Sequence, residues 1–92
     1  MDFYATLLRI VHTGCDLTPR QLCVIWNCAE RAQTVRELAE RLNISKPAIS
    51  RAADRLQQAG FITRDDDPED RRSVLLALTP EGHTFIGALR GA

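Results

Sequence analysis

The sequence predicts a mainly α-helical domain with one small β-hairpin. Three observations indicate this class: apolar residues recur at helical spacing in five segments, capping signals bound those segments, and a polar turn separates two short strands. With 92 residues, 45% of them hydrophobic and 26% charged, the chain can bury one modest core. We therefore expect a single domain over residues 1–92.

The first helix is predicted from about Asp2 to Thr13, with Gly14 as its stop. Its apolar residues fall at helical spacing and form a broad stripe: Phe3, Tyr4, Leu7, Leu8, Ile10 and Val11.

Two capping boxes predict where the next two helices begin. Thr18 precedes Pro19 and stands three residues before Gln21, and Thr34 stands three residues before Glu37. An apolar face follows each box, with Leu22, Ile25, Trp26 and Ala29 in the second helix and Leu38, Ala39 and Leu42 in the third.

The fourth helix is expected to begin at Ser45 and to end at Gly60, and Pro47 is tolerated in its first turn. Two strands and a last helix should follow. The strands are Phe61 to Arg64 and Ser73 to Leu78, the acidic segment 65–70 is the turn, and Thr79-Pro80 opens a helix with Ile86 and Leu89 on one side.

The segment from Leu38 to Ala52 carries the strongest functional signal. Small Ala39 suits two closely crossing helices, and Asn43, four residues on, tolerates the left-handed backbone of the connecting turn. The apolar residues expected to hold the pair together are Leu38, Leu42, Ile44, Ile49 and Ala52. This pattern predicts a helix-turn-helix over 34–59 and a wing over 61–78, which is a winged helix-turn-helix.

The outward side of the fourth helix presents small polar and cationic residues: Ser45, Lys46, Pro47, Ser50, Arg51 and Arg55. Small groups let a helix enter a major groove, and Arg and Lys reach guanine edges or phosphates. Asp54 is the helix's one acid, so the helix is locally positive although the chain has 12 basic and 12 acidic side chains. We expect DNA contact here; on an isolated helix the same residues would form an ordinary solvated face.

Arg71 and Arg72 follow five acids at the tip of the predicted hairpin. Because acids repel phosphates, we expect one or more of them to pair with a neighbouring arginine while another arginine enters a minor groove. The alternative is a solvent-exposed turn with compensating charges.

The order of these features resembles the MarR family of bacterial regulators. The resemblance covers roughly residues 17 to 83 and is carried by Leu17-Thr18-Pro19-Arg20-Gln21, Leu38-Ala39, residues 45–51, Asp54-Arg55-Leu56, Gly60-Phe61-Ile62, residues 67–73 and Leu78-Thr79-Pro80-Glu81-Gly82. It implies that Ser45, Lys46, Pro47, Ser50 and Arg51 enter the major groove. It also implies that Arg72 enters the minor groove, with Arg71 and Asp70 in support.

Members of that family are usually homodimers built from extended terminal helices, with a ligand pocket at their junction. This sequence ends at Ala92, soon after its last helix begins, so we expect a short form without the long C-terminal dimerisation helix. A homodimer through the first helix (Phe3, Tyr4, Leu7 and Val11) and the C-terminal helix, a weak dimer and a monomer all stay open. A small-molecule effector is a further implied partner.

Other site classes receive little support from the sequence. Cys15, Cys23 and Cys28 are odd in number and form no C-x-x-C pair, which predicts buried reduced thiols; a redox- or ligand-sensing thiol is the alternative. His12 and Cys15 alone are too few ligands for zinc. Because there is also no catalytic motif or phosphate loop, we expect no enzyme and no cofactor. No apolar run could span a bilayer and no signal pattern is present, so the expected location is the cytoplasm.

The predicted function is therefore sequence-specific binding of double-stranded DNA by a transcriptional repressor. The alternative is a winged helix that serves as a protein-interaction module without DNA specificity of its own. The zero net charge and the acidic wing favour that alternative.

Overall fold

The computed structural model describes residues 2–13 and 16–91. Over these residues the chain forms helices and strands in the order α1 Phe3–Thr13, α2 Pro19–Cys28, β1 Gln33–Thr34, α3 Val35–Leu42, α4 Lys46–Gln58, β2 Ile62–Asp67, β3 Asp70–Leu78 and α5 Pro80–Arg90. The mainly helical class with a small sheet is confirmed.

The predicted caps at Thr18, Thr34 and Ser45 form. The hydroxyl oxygens of Thr18 and Thr34 accept hydrogen bonds from the backbone N–H groups of Gln21 and Glu37, respectively. In return, the side chains of Gln21 and Glu37 accept hydrogen bonds from the N–H groups of the two threonines, which completes both capping boxes. Ser45 accepts from the N–H of Ala48 at 3.3 Å and starts α4, with Pro47 in its first turn. Helix α4, the predicted DNA-contacting helix of the helix-turn-helix and called the reading helix below, thus begins where the sequence predicted.

Two residues with left-handed backbone shape the ends of α3 and α4. Asn43 ends α3 with φ 54° and ψ 48°, as its tolerance of this region predicted. Gly60 follows α4 with φ 82°, and the next N–H, that of Phe61, donates to the carbonyl of Leu56 at 3.0 Å. The chain therefore folds back onto α4 before it enters the wing.

The two strands of the hairpin are longer than predicted, and the expected turn over 65–70 is wrong. Asp65 pairs with Leu75 and Asp66 with Val74, so only Pro68 and Glu69 separate the two strands. Aspartate has a low intrinsic preference for strands, but hydrogen-bonded pairing with β3 outweighs that preference. The strands therefore extend through residues 65–67 and 70–72.

A third strand completes the sheet, which the sequence did not indicate. Gln33 and Thr34 of β1 pair with Leu76 and Leu75 of β3, giving the strand order β1-β3-β2. Both β1 residues are buried. The short strand therefore joins the wing to the start of α3.

One core cluster lies between the helices and the sheet. Its large side chains, all at most 2% exposed, include Val24, Ile25, Leu38, Ile49, Leu56, Ile62, Leu76, Ile86 and Leu89. Phe85, whose facing the sequence left undecided, is buried and stacks on Phe61 with ring centroids 4.7 Å apart. His83 is exposed. Among the expected helix-turn-helix contacts, Ala39, Leu42 and Ile44 lie half-buried at the cluster's edge.

The cysteines differ in environment. Cys28 is buried, and burial raises the pKa of its thiol to about 11. Cys23 is exposed, so the prediction of a buried thiol is wrong for this residue. Five residues separate the two positions, about 140° around a helix, which turns Cys23 towards solvent. Cys15 and the predicted stop at Gly14 lie outside the described residues.

Helix α1 contacts α5 and leaves most of its predicted apolar stripe uncovered. Phe3 is 75% exposed, Tyr4 67% and Val11 69%. Within residues 2–13 and 16–91, no helix has the length and apolar character needed to cross a membrane.

Candidate nucleic-acid interface

Burial of one side of α4 fixes which residues the helix presents outward. The buried side consists of Ala48, Ile49, Ala52, Ala53 and Leu56, each at most 5% exposed. These positions follow the helical repeat, so they occupy one face and pack against the core. The opposite face is free to meet a partner.

Most of the predicted reading residues lie on that outward face. Lys46, Pro47 and Arg51 are exposed, and Ser50 is half-buried. Ser45 is exposed as well, although its hydroxyl oxygen already caps α4. The arrangement presents small and cationic groups along the first two turns of the helix.

Arg55 differs from the other predicted residues of α4. Its Nη2 donates to Asp16 Oδ1 at 2.6 Å, in an ion pair with the segment that precedes α2. Arg55 does not belong to the groove described next.

A groove of about 560 Å³ separates α4 from the wing. Its lining comes from α3, α4 and β3: Val35, Arg36, Lys46, Ser50, Asp70, Arg72, Ser73 and Val74. The fold therefore brings together Lys46 and Ser50 from the reading helix with Asp70 and Arg72 from the wing. Arg51 and Arg71 are exposed but do not line this groove.

Arg36 is a groove residue that the sequence reasoning missed. It lies in the first turn of α3, between the cap Thr34 and its partner Glu37, and it is exposed. With Lys46 and Arg72 it gives the groove three cationic groups against one carboxylate, although the whole chain has zero net charge. The sequence feature that could have indicated Arg36 is a cation inside the capping box of α3, the helix that precedes the reading helix.

Acidic side chains hold the wing tip by accepting hydrogen bonds from two backbone N–H groups and one serine hydroxyl. Asp70 Oδ1 accepts from the N–H of Arg72 at 3.0 Å, and Asp70 Oδ2 accepts from Ser73 Oγ at 3.2 Å. Asp67 Oδ1 likewise accepts from the N–H of Glu69 at 2.9 Å. A short aspartate side chain readily reaches the N–H two residues on, which stabilises a tight turn.

The expected ion pair between a tip acid and a wing arginine is therefore wrong. In the described part of the chain, carboxylates pair with Arg31, Arg55 and Arg64, and none of these pairs involves an arginine of the tip. Asp70 still contacts Arg72, but the bond is from the main-chain N–H of Arg72 and not from its guanidinium.

Comparison with known proteins agrees with this geometry. Residues 16–73 match a family model described as MarR family. The chain belongs to the MarR family. The resemblance inferred from the sequence is thereby confirmed.

Two relatives and two solved structures illustrate the likeness. The HTH-type transcriptional repressor MdtR of Bacillus subtilis is 39% identical over 67 residues, which is 72% of this chain and 43% of that protein. The HTH-type transcriptional regulator PapX of Escherichia coli is 42% identical over 53 residues, 58% of this chain and 32% of that protein. These are names of transcriptional regulators, not of enzymes. The chain thus spans less than half the length of either relative.

Among solved structures, the YusO protein of Bacillus subtilis has a TM-score of 0.80 and 32% identity, covering 94% of this chain and 60% of that one. A mutant of MarR from Escherichia coli, complexed with operator DNA, has a TM-score of 0.77 and 29% identity, covering 86% of this chain and 57% of that one. These matches confirm the winged helix-turn-helix fold.

Proposed function

We propose that this protein binds double-stranded DNA in a sequence-specific manner and represses transcription. The observation that carries the proposal is the shared groove, in which Lys46 and Ser50 of α4 face Arg72 of the wing. A helix with small outward residues fits a major groove, and an arginine suits the negative potential of a narrow minor groove. The two elements can then contact adjacent grooves of one duplex.

The comparisons support this proposal in two ways. MdtR is named a transcriptional repressor, and the MarR mutant was solved with operator DNA. The match to the family model also runs from the segment before α2 to the start of β3. It includes seven of the eight residues that line the groove, and only Val74 lies beyond it.

The test begins by selecting bound duplexes from a random DNA pool and measuring affinity for the selected sequence against salt. Lys46→Ala and Arg72→Ala should each weaken binding about tenfold or more. Where the lost contact is to a phosphate, the slope of log affinity against log salt should become shallower by about 0.9. Arg31→Ala removes an exposed cation that does not line the groove and should change affinity less than about twofold.

Wild-type affinity in both groove variants would remove these side chains from the interface. No duplex binding even at low salt, where electrostatic attraction is strongest, would contradict DNA binding and favour a protein-interaction module.

We also propose a homodimer formed through α1 and α5. The uncovered apolar side chains of α1, which include Phe3, Tyr4 and Val11, form the kind of exposed patch that marks an interface. Sedimentation equilibrium should show a dimer that Val11→Asp dissociates, whereas Gln57→Asp, on exposed α4 surface, should not. Selected duplexes should be palindromic, with half-sites about one helical turn apart. A monomer both free and on DNA would exclude this arrangement.

A further inference from the structure

Arg64 of β2 joins the wing to α4 by two hydrogen bonds. Its Nη1 donates to Asp54 Oδ1 at 2.5 Å, and its Nη2 donates to the main-chain carbonyl of Ser50 at 2.6 Å. The side chain of Arg64 is 27% exposed and that of Asp54 is 60% exposed, so water reaches the ion pair, whereas the hydrogen bond to the Ser50 carbonyl is partly buried. A planar guanidinium that holds two acceptors restrains angle as well as distance.

This arginine belongs to a row of residues across the base of the sheet. Arg64 pairs with Leu76 of β3, and Leu76 also pairs with Gln33 of β1. Directly paired residues project from the same face of a sheet, so the row faces the helices. Leu76 is buried there, and Gln33 Nε2 donates to the carbonyl of Asn27 in α2. The sheet is therefore tied to α4 at one edge and to α2 at the other.

The position of Arg64 connects this attachment to the groove. On β2, Ile62 is buried, while the strand beyond Arg64 has no buried residue. Arg64 is thus the last point where β2 is attached to a helix before the wing tip. Ser50, whose carbonyl accepts from Arg64, lines the groove together with Lys46 and Arg72.

We propose that Arg64 is a positioning residue that fixes the separation of α4 and the wing, so that Lys46 and Arg72 contact one duplex at the same time. This inference rests on the proposed DNA binding. Without the attachment, each cation can still meet phosphates separately, but the two contacts no longer support each other. Cognate affinity should therefore fall while weak binding to unrelated duplexes persists.

Asp54→Ala separates this role from simple electrostatics. Removing an acid from α4 should strengthen attraction to phosphates if charge alone matters. The proposal predicts the opposite, a loss of cognate affinity of about fivefold, because Arg64 loses its carboxylate partner. Arg64→Lys keeps the positive charge but not the planar fork and should show a similar loss. Arg31→Ala, which breaks the exposed pair with Glu37, is the matched control and should change affinity less than about twofold.

Two further readouts distinguish positioning from a general loss of stability. Arg72→Ala should reduce cognate DNA affinity by a smaller factor in the Asp54→Ala background than in the wild type, because the wing is then no longer held in place. Residual dipolar couplings of the backbone amides, measured without DNA, should fit one alignment for α4 and the wing in the wild type. In Asp54→Ala and Arg64→Lys the couplings of the wing tip should decrease, while those of α2 and α5 stay unchanged.

Unchanged wing couplings in both variants, or tighter cognate binding by Asp54→Ala, would overturn the positioning role. Failure of the wild type to bind any duplex is a different result, because it refutes the proposed function itself. Decreased couplings would in that case still support Arg64 as the residue that orients the wing.

Discussion

The reading helix and the wing reach the same groove, but different forces hold them. Helix α4 is anchored by five side chains that are at most 5% exposed, including Ile49, Ala53 and Leu56. Strand β3 has one buried residue, Leu76, and at the wing tip the carboxylates of Asp67 and Asp70 accept hydrogen bonds from the backbone. One half of the interface is fixed by packing, and the other half by polar contacts exposed to water.

The two regions also differ in charge. Helix α4 carries Lys46, Arg51 and Arg55 against the single acid Asp54, whereas residues 65–72 contain five acids and two arginines. We expect the positive charge of α4 to attract any duplex. The acidic wing should add to DNA affinity only where one of its arginines is correctly placed. The wing should therefore contribute more to specificity than to overall attraction.

The largest expected effect tests the packed half. Ile49→Ala removes a fully buried side chain from α4 and should lower the free energy of unfolding by about 2–5 kcal/mol. Denaturant unfolding measures this change. Arg51→Ala, two residues away on the exposed face, should stay within about 0.5 kcal/mol. Similar losses in the two variants would mean that burial does not anchor α4.

The same contrast explains what the sequence could predict. The start of α4 at Ser45, the left-handed turn at Asn43 and the end of α4 before Gly60 depend on neighbouring residues, and all three were predicted. The two strands of the wing were predicted too short because their outer pairs, such as Asp66 with Val74, depend on a partner strand rather than on local propensity. Pairing between distant segments leaves little trace in a single sequence.

The groove shows the same limit. Lys46, Ser50 and Arg72 were predicted from motif positions, and the fold brings them together. Arg36 was missed because only the packing of α3 beside the wing makes it line the same groove as Arg72. The attachment of Arg64 to α4 likewise depends on how the hairpin docks and could not be inferred from residue spacing.

An intermediate effect tests the polar half. Asp70→Ala removes the acceptor for the N–H of Arg72 and should cost only about 1 kcal/mol of stability. It should nevertheless weaken DNA binding about fivefold, although an acid is lost, because Arg72 is no longer held. Asp66→Ala removes an exposed acid of β2 and should strengthen binding at low salt. Fluorescence anisotropy measures both, and equal strengthening by the two variants would exclude a supporting role for Asp70.

The smallest expected effect concerns a polar contact at the start of α3, the helix that precedes α4. The pKa of Glu37 is lowered from its ordinary 4.5, first by the hydrogen bond from the backbone of Thr34 and then by the one from Arg31. Because the folded-state pKa lies below the unfolded one, this contact stabilises the fold above about pH 4.5 and is lost as pH falls through the folded value.

Glu37→Gln keeps an acceptor for Thr34 but cannot titrate. The wild type should exceed it in stability by about 0.5 kcal/mol or less near neutral pH, since the site is partly exposed. That difference should shrink below pH 4.5, as measured by urea unfolding at a series of pH values. Glu40→Gln, at an exposed position of the same helix, should retain the wild-type pH dependence. A constant difference between wild type and Glu37→Gln would show that titration of Glu37 does not contribute to stability.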